Sequence, residues 1–138
     1  MPTPLHRIRL KGPWEALGPG AEHDQWTRIH VPIAWRDCFG MVPGTARFRR
    51  NFHQPTGIET GERVGIRLPI GIGTVQQVSV NGTVLTPFSG DETLLDATPH
   101  LESFNRLECE IHFDPGNSPE IPGGLWEAVW IEIFSNSE

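Results

Sequence analysis

Hydrophobic and polar residues alternate with a period of two wherever a period can be read. The clearest run is Arg106 to Phe113: Leu107, Cys109, Ile111 and Phe113 share one face, and Arg106, Glu108, Glu110 and His112 share the other. That pattern is a half-buried strand. The same rhythm turns Ile8 and Leu10 inward near the start, and Val64, Ile66 and Leu68 inward between Arg63, Gly65 and Arg67. Val78 and Val80 run into Asn81-Gly82, a pair that readily takes the two positive φ values of a type I′ turn, and Thr83-Val84-Leu85 resumes beyond it, so a tight hairpin is predicted. Residues 125–134 are apolar on both faces, as in a strand covered on both sides. No helix of three turns is expected. Pro99 interrupts the one candidate, residues 91–103, and leaves at most a turn at 93–97. About seven or eight short strands with no internal repeat predict an all-β antiparallel β-sandwich.

Length and composition fit this picture. The 138 residues suit one domain spanning 1–138, and 37% hydrophobic residues suffice to fill its core. Gly 15 and Pro 13 supply turns. Charge removes several functions: 11 basic residues against 17 acidic ones leave a net charge of −6, which provides no footprint for a phosphate backbone, so no nucleic acid partner is expected. No apolar stretch is long enough for a helical membrane span, and the opening residues lack the apolar region of an export signal, so a cytoplasmic location and no membrane partner are expected. Cys38 and Cys109 read as ordinary thiols, Cys109 as a small core residue.

Four ordered segments resemble the successive signatures of one known module. They are Gly44-Thr-Ala-Arg-Phe-Arg-Arg-Asn-Phe52 ending at Pro55, Val78-Ser-Val-Asn-Gly82, Asp96-Ala-Thr98 before Asn105-Arg-Leu107, and Gly123-Gly-Leu-Trp-Glu-Ala-Val-Trp-Ile131. The module is the N-terminal sugar-binding domain of glycoside hydrolase family 2, and the resemblance runs from about Leu10 to Phe134. It implies a galactose-binding-like jelly roll. In that family the module is followed by an immunoglobulin-like domain and a (β/α)8 barrel that carries two catalytic carboxylates. The sequence in hand contains neither, so no hydrolysis is expected of it, and nitrophenyl β-galactoside, β-glucuronide and β-mannoside should remain intact. Glu127 stands where the family commonly has Arg. An acidic residue before the Gly-Gly-aromatic motif reaches the active site in some β-galactosidases, which makes Glu120 the matching candidate for a sugar contact.

The residues themselves point to binding more than to turnover. The scattered carboxylates form no evident acid/base pair, Ser79, Ser89, Ser103 and Ser118 sit in no nucleophile elbow, and the six histidines have no ligand spacing. No metal and no cofactor are therefore expected, and no catalytic residue is assigned. Trp14, Trp26, Trp35, Trp126 and Trp130 occur without a single tyrosine, and indole stacks well on the C–H face of a sugar. Trp35, Arg36 and Asp37, in a Pro/Gly-flanked stretch read as a loop, are the leading candidates for an exposed sugar site.

Two further expectations concern charge and surface. Arg50 shares a face with Phe48 and Phe52, and Glu127 with Leu125, Val129 and Ile131, so the two are expected to be inward-facing charges that pair, conceivably with each other. Trp126, Ala128, Trp130, Glu132 and Phe134 share the outer side of the last strand. That side packs against another chain segment such as the Trp14 or Trp26 region, forms a homo-oligomer or protein contact through Trp126 and Trp130, or offers a glycan platform. Two functions follow: a non-catalytic carbohydrate-binding module, or an interaction sandwich without a sugar site.

Overall fold

The computed structural model describes residues 3–88 and 90–135; Ser89, among the serines considered above, and the chain ends, including residues 136–138 of the expected domain, lie outside the described residues. The described residues form eleven strands: β1 His6–Arg9, β2 Pro13–Leu17, β3 Thr27–His30, β4 Gly44–His53, β5 Arg63–Arg67, β6 Thr74–Val80, β7 Thr83–Val84, β8 Thr86–Phe88, β9 Asp91–Asp96, β10 Phe104–Phe113 and β11 Trp130–Phe134. A short helix α1, Trp35–Phe39, and a 3-10 turn at Thr98–His100 complete the set. One sheet has the order β1-β11-β5-β9-β8 and the other β3-β2-β4-β10-β6-β7, with every strand pair antiparallel. This is the expected β-sandwich.

The longest pairing sets Phe104 opposite His53 and keeps register to Phe113 opposite Gly44. The predicted alternation holds along β10: Leu107, Cys109, Ile111 and Phe113 are buried, facing Val64, Ile66, Leu68 and Ile131 across one core. Burial of the Cys109 thiol pushes its pKa to about 12. The Asn81-Gly82 turn forms as predicted, with φ of 54° and 84°. Asn81 does more than turn the chain. Its carboxamide donates to Asn105 Oδ1 at 2.9 Å and accepts from the Arg106 amide at 2.9 Å, while fully buried Asn105 also bonds the backbone of Glu102. Two of the sequence signatures thus meet physically. The first half of the second of these is anchored in the same way, since Asp96 accepts from the Thr98 amide and Thr98 Oγ1 accepts from the Val64 amide.

Gly65 allows a second, smaller apolar cluster on the outer side of the five-stranded sheet. A Cβ there would lie 2.6 Å from Leu94 Cδ1 and 2.9 Å from Phe88 Cε2. Leu94 and Phe88 instead lie over the strand, and Phe88 meets Phe134 edge-on at 5.9 Å between ring centroids, leaving Phe134 buried.

Several local expectations are corrected. All four residues of β1 are exposed, Ile8 at 40%, because this strand lies at the edge of its sheet and only Leu10 beyond it enters the core. Residues 93–97 are not a turn: β9 runs to Asp96, held to β5 by pairing. The last strand is shorter than expected. Residues 125–129 are irregular, although Leu125 and Val129 still reach the core.

Candidate carbohydrate-binding face

Trp35, Arg36 and Asp37 stand on a helix, not in a loop. Trp35 and Phe39 are one helical turn apart, close enough for their side chains to meet, with ring centroids 4.9 Å apart, and Gly40 ends the helix at φ 70°. Trp35 also meets Phe113 edge-on at 5.5 Å and donates its indole N–H to Val42 O at 2.9 Å. The residue is fully buried. The expected exposed aromatic is therefore a core ring with no stacking face to offer, a reading the i, i+4 pair followed by glycine would have allowed. Arg36 reaches back to the carbonyls of Ile121 and Pro115, both at 3.2 Å, which ties α1 to the loop carrying Glu120. Asp37 and Glu120 are exposed.

The expected partnership of Arg50 and Glu127 is also absent. Arg50 lies on the inner face by register, opposite Leu107, but its long stem carries the guanidinium past the end of the β2–β4 pairing, where it donates to Lys11 O at 2.7 Å, in the segment before β2, and to Asn51 O at 2.8 Å. Partial burial lowers its pKa. Glu127 is exposed because residues 125–129 leave the strand pattern, and among the described residues neither group has an ion-pair partner.

Among the described residues the buried charge is Glu132, on the outer face of its sheet. Only 3% exposed, it accepts from Arg7 Nε at 2.9 Å on one oxygen and from Arg67 Nε at 3.1 Å on the other. The register explains this: Arg7 is directly opposite Glu132 on β11, and Arg67 lies on the neighbouring strand β5. Arg67 continues to Asp91 at 2.6 Å and Thr93 at 2.9 Å. Burial pulls against ionisation of both groups, yet hydrogen bonds win: Asp91 is held below its usual carboxylate range by Thr93 and Arg67, and the Arg67 pKa is raised by Asp91 and Glu132.

Around this network is an open depression of about 440 Å³ walled by Trp126, Trp130, Arg7, Arg9, Arg67 and Glu127. Both tryptophans are half-buried. The Arg7 guanidinium stacks 4.1 Å from the Trp130 ring centroid, and the Trp126 N–H donates to Ile70 O at 2.7 Å. The backbone just before Trp126 is fixed from two sides. Gly123 N–H bonds Gly71 O at 2.9 Å and Gly124 N–H bonds Ile72 O at 3.0 Å, while Gly123 O accepts from the Trp35 amide and Leu125 O from the Ile33 amide. Glycine at 123 is obligatory: φ is 72°, and a Cβ would lie 2.3 Å from the Phe113 ring.

Neither Trp14 nor Trp26 covers the Trp126/Trp130 face. Trp14 lies in the core and Trp26 stacks under Arg49, 3.8 Å from the ring centroid. The cover comes from Arg7, Arg67, Phe88 and the loop at Ile70. The sequence reading placed Arg63, Gly65 and Arg67 outward, and Glu132 with the outer tryptophans; what it lacked was the pairing of β1 and β5 to either side of β11.

No protein-family model matches the sequence, nor does any curated protein. Solved structures do. An FMN-binding β-glucuronidase from Facaelibacterium prausnitzii L2-6 aligns over 93% of this chain and 22% of its own, at 24% identity and a TM-score of 0.70. A glycosyl hydrolase family 2 member from Bacteroides cellulosilyticus DSM 14838 aligns over 94% and 21%, at 17% identity and a TM-score of 0.69. A β-glucuronidase from Bacteroides uniformis aligns over 93% and 18%, at 23% identity and a TM-score of 0.65. The chain thus shares the fold of one part of these hydrolases and spans about a fifth of their length. Among the described residues no helix is long and apolar enough to cross a membrane.

Proposed function

We propose that this chain is a carbohydrate-binding module that holds a glycan without turning it over, and that the glycan lies on the Trp126/Trp130 face. The observation that carries the reading is the pairing of two half-buried indoles with Arg7, Arg9 and Glu127 around one open depression. Indole faces take the apolar side of a sugar ring, and fixed guanidinium and carboxylate groups satisfy hydroxyls at its edge. Among the described residues Arg9 and Glu127 make no ion pair, which leaves both available to hydroxyls. The shared fold with part of family 2 hydrolases supports a carbohydrate setting.

Turnover is not supported by this face. Glycoside hydrolysis usually takes two carboxylates flanking the bond. Glu132 has both oxygens engaged by arginines and almost no exposure, which leaves Glu127 without a second acid at the depression. Asp37 and Glu120 are exposed and do not line the depression.

A protein-contact reading has one observation of its own: Arg7 already occupies one face of Trp130. A glycan array read together with intrinsic tryptophan fluorescence separates the two. Binding that is lost in both Trp126→Ala and Trp130→Ala, with no release of nitrophenol from β-galactoside, β-glucuronide or β-mannoside, is the expected result. An array without hits, or hits unaffected by either substitution, overturns the carbohydrate reading.

A further inference from the structure

The four outer edges of the two sheets are not equally protected. Exposed strand edges recruit other strands, and proteins blunt them with charges, prolines or very short strands. β1 carries Arg7 and Arg9, β3 carries Arg28, and β8 is three residues long with Pro87 at its centre. The edge formed by β6 and β7 differs. β7 pairs only Ser79 and Val80, so residues 74–77 of β6, Thr-Val-Gln-Gln, have β10 on one side and no strand on the other. This stretch has no charge and no proline, and all four residues are exposed. A bulge protects it only in part. The register on β10 passes from Gln77 opposite Glu110 to Val75 opposite Ile111, and the extra residue, Gln76, is left unmatched.

Beside this open edge is a groove of about 640 Å³ between the two sheets, with Ile70, Val75, Val84 and Glu92 on its walls. Ile70 is 73% exposed, Val84 52% and Val75 39%, so three of the eight large apolar side chains exposed among the described residues gather at one unprotected edge. We infer that this edge is a docking surface for a second copy of the chain, which adds its own β6 antiparallel across a two-fold axis near Gln76. The edge is its own complement. Carboxamides both donate and accept, and a neutral strand brings no uncompensated charge to the pairing, whereas the same pairing at β1 or β3 would set arginine near arginine. The contact also brings Ile70, Val75 and Val84 of the two copies together. It is short, so the dimer is weak, with a dissociation constant on the order of 0.1 mM.

Sedimentation equilibrium tests it. Between about 10 µM and about 1 mM, concentrations that bracket a weak dimer, the weight-average mass should climb above the 15.4 kDa monomer. Val75→Lys should weaken association at least about tenfold by placing like charges across the axis. Ile70→Lys, in the loop before β6 where it leaves the sheet intact, should do the same and keeps the test sound if Val75→Lys fails to fold. Ile8→Lys on the β1 edge and Trp130→Ala, whose ring stacks on Arg7, should leave association unchanged. A chain that stays monomeric throughout, or a dimer that survives both lysine substitutions, overturns the inference; a dimer lost in Trp130→Ala overturns it in favour of the tryptophan face.

Discussion

Trp14 and Trp35 have no solvent exposure, while Trp126 and Trp130 are half-buried, and for Trp126 the contrast does not come from hydrogen bonding. Trp14 donates to Leu10 O at 3.1 Å, Trp35 to Val42 O, and the outer Trp126 likewise to a carbonyl, Ile70 O. All three indole N–H groups are satisfied. The difference lies in what meets the ring: core side chains from both sheets in the inner pair, and the loop edge and an arginine in the outer pair. Satisfying the N–H fixes where an indole sits, and only the topology decides whether its face remains available.

The largest effect that would sharpen this contrast is expected from Trp35→Ala. Removing a fully buried indole packed on Phe39 and Phe113 should cost about 3–5 kcal/mol in urea unfolding. Trp126→Ala should cost far less, and equal losses would break the distinction between core and face. Next comes Glu132→Ala, which leaves Arg7 and Arg67 facing each other without their shared acceptor. Because both arginines retain partial access to water, the loss should be about 1–3 kcal/mol, with partial recovery in Glu132→Gln. A pH series gives a smaller effect. The Asp91 pKa is depressed in the folded state, so its contribution is present above the ordinary carboxylate pKa of about 3.9 and lost as pH falls through the lower folded value. The difference in thermal midpoint between wild type and Asp91→Asn should therefore shrink as pH drops below about 4. The smallest stability change is expected for Trp130→Ala, within about 1 kcal/mol, because its ring is covered chiefly by one surface guanidinium.

What could be read from the sequence follows the same division. β10 was legible because it has one face in the core and one in water, which writes a period of two directly into the residues; β5 was legible from its core face alone, since Leu94 and Phe88 lie over the other, and the hairpin from its Asn81-Gly82 turn. Ile8 misled because an edge strand can alternate without burying either face. Residues 125–129 misled in the opposite sense: Leu125 and Val129 are buried, yet from an irregular segment whose carbonyls accept from the amides of Ile33 and Leu10. Arg50 and Glu127 failed for the same cause. A face can be assigned from periodicity, but the reach of a guanidinium to backbone carbonyls beyond its own strand pairing cannot. The site suffered most, since Trp35 and Trp126 look alike until the neighbours of each ring are known.

The two glycines before Trp126 have a consequence for whatever that face meets. With successive amides at 123 and 124 bound to one loop and the carbonyl at 123 bound to the start of α1, the peptide leading into the indole is latched from both sides. The ring's own N–H is latched to Ile70. Binding normally loses affinity to the freezing of loops and rotamers at the moment of contact. Here the folding of the sandwich has already taken that entropy out, and Trp126 meets a ligand as a fixed wall instead of a swinging one.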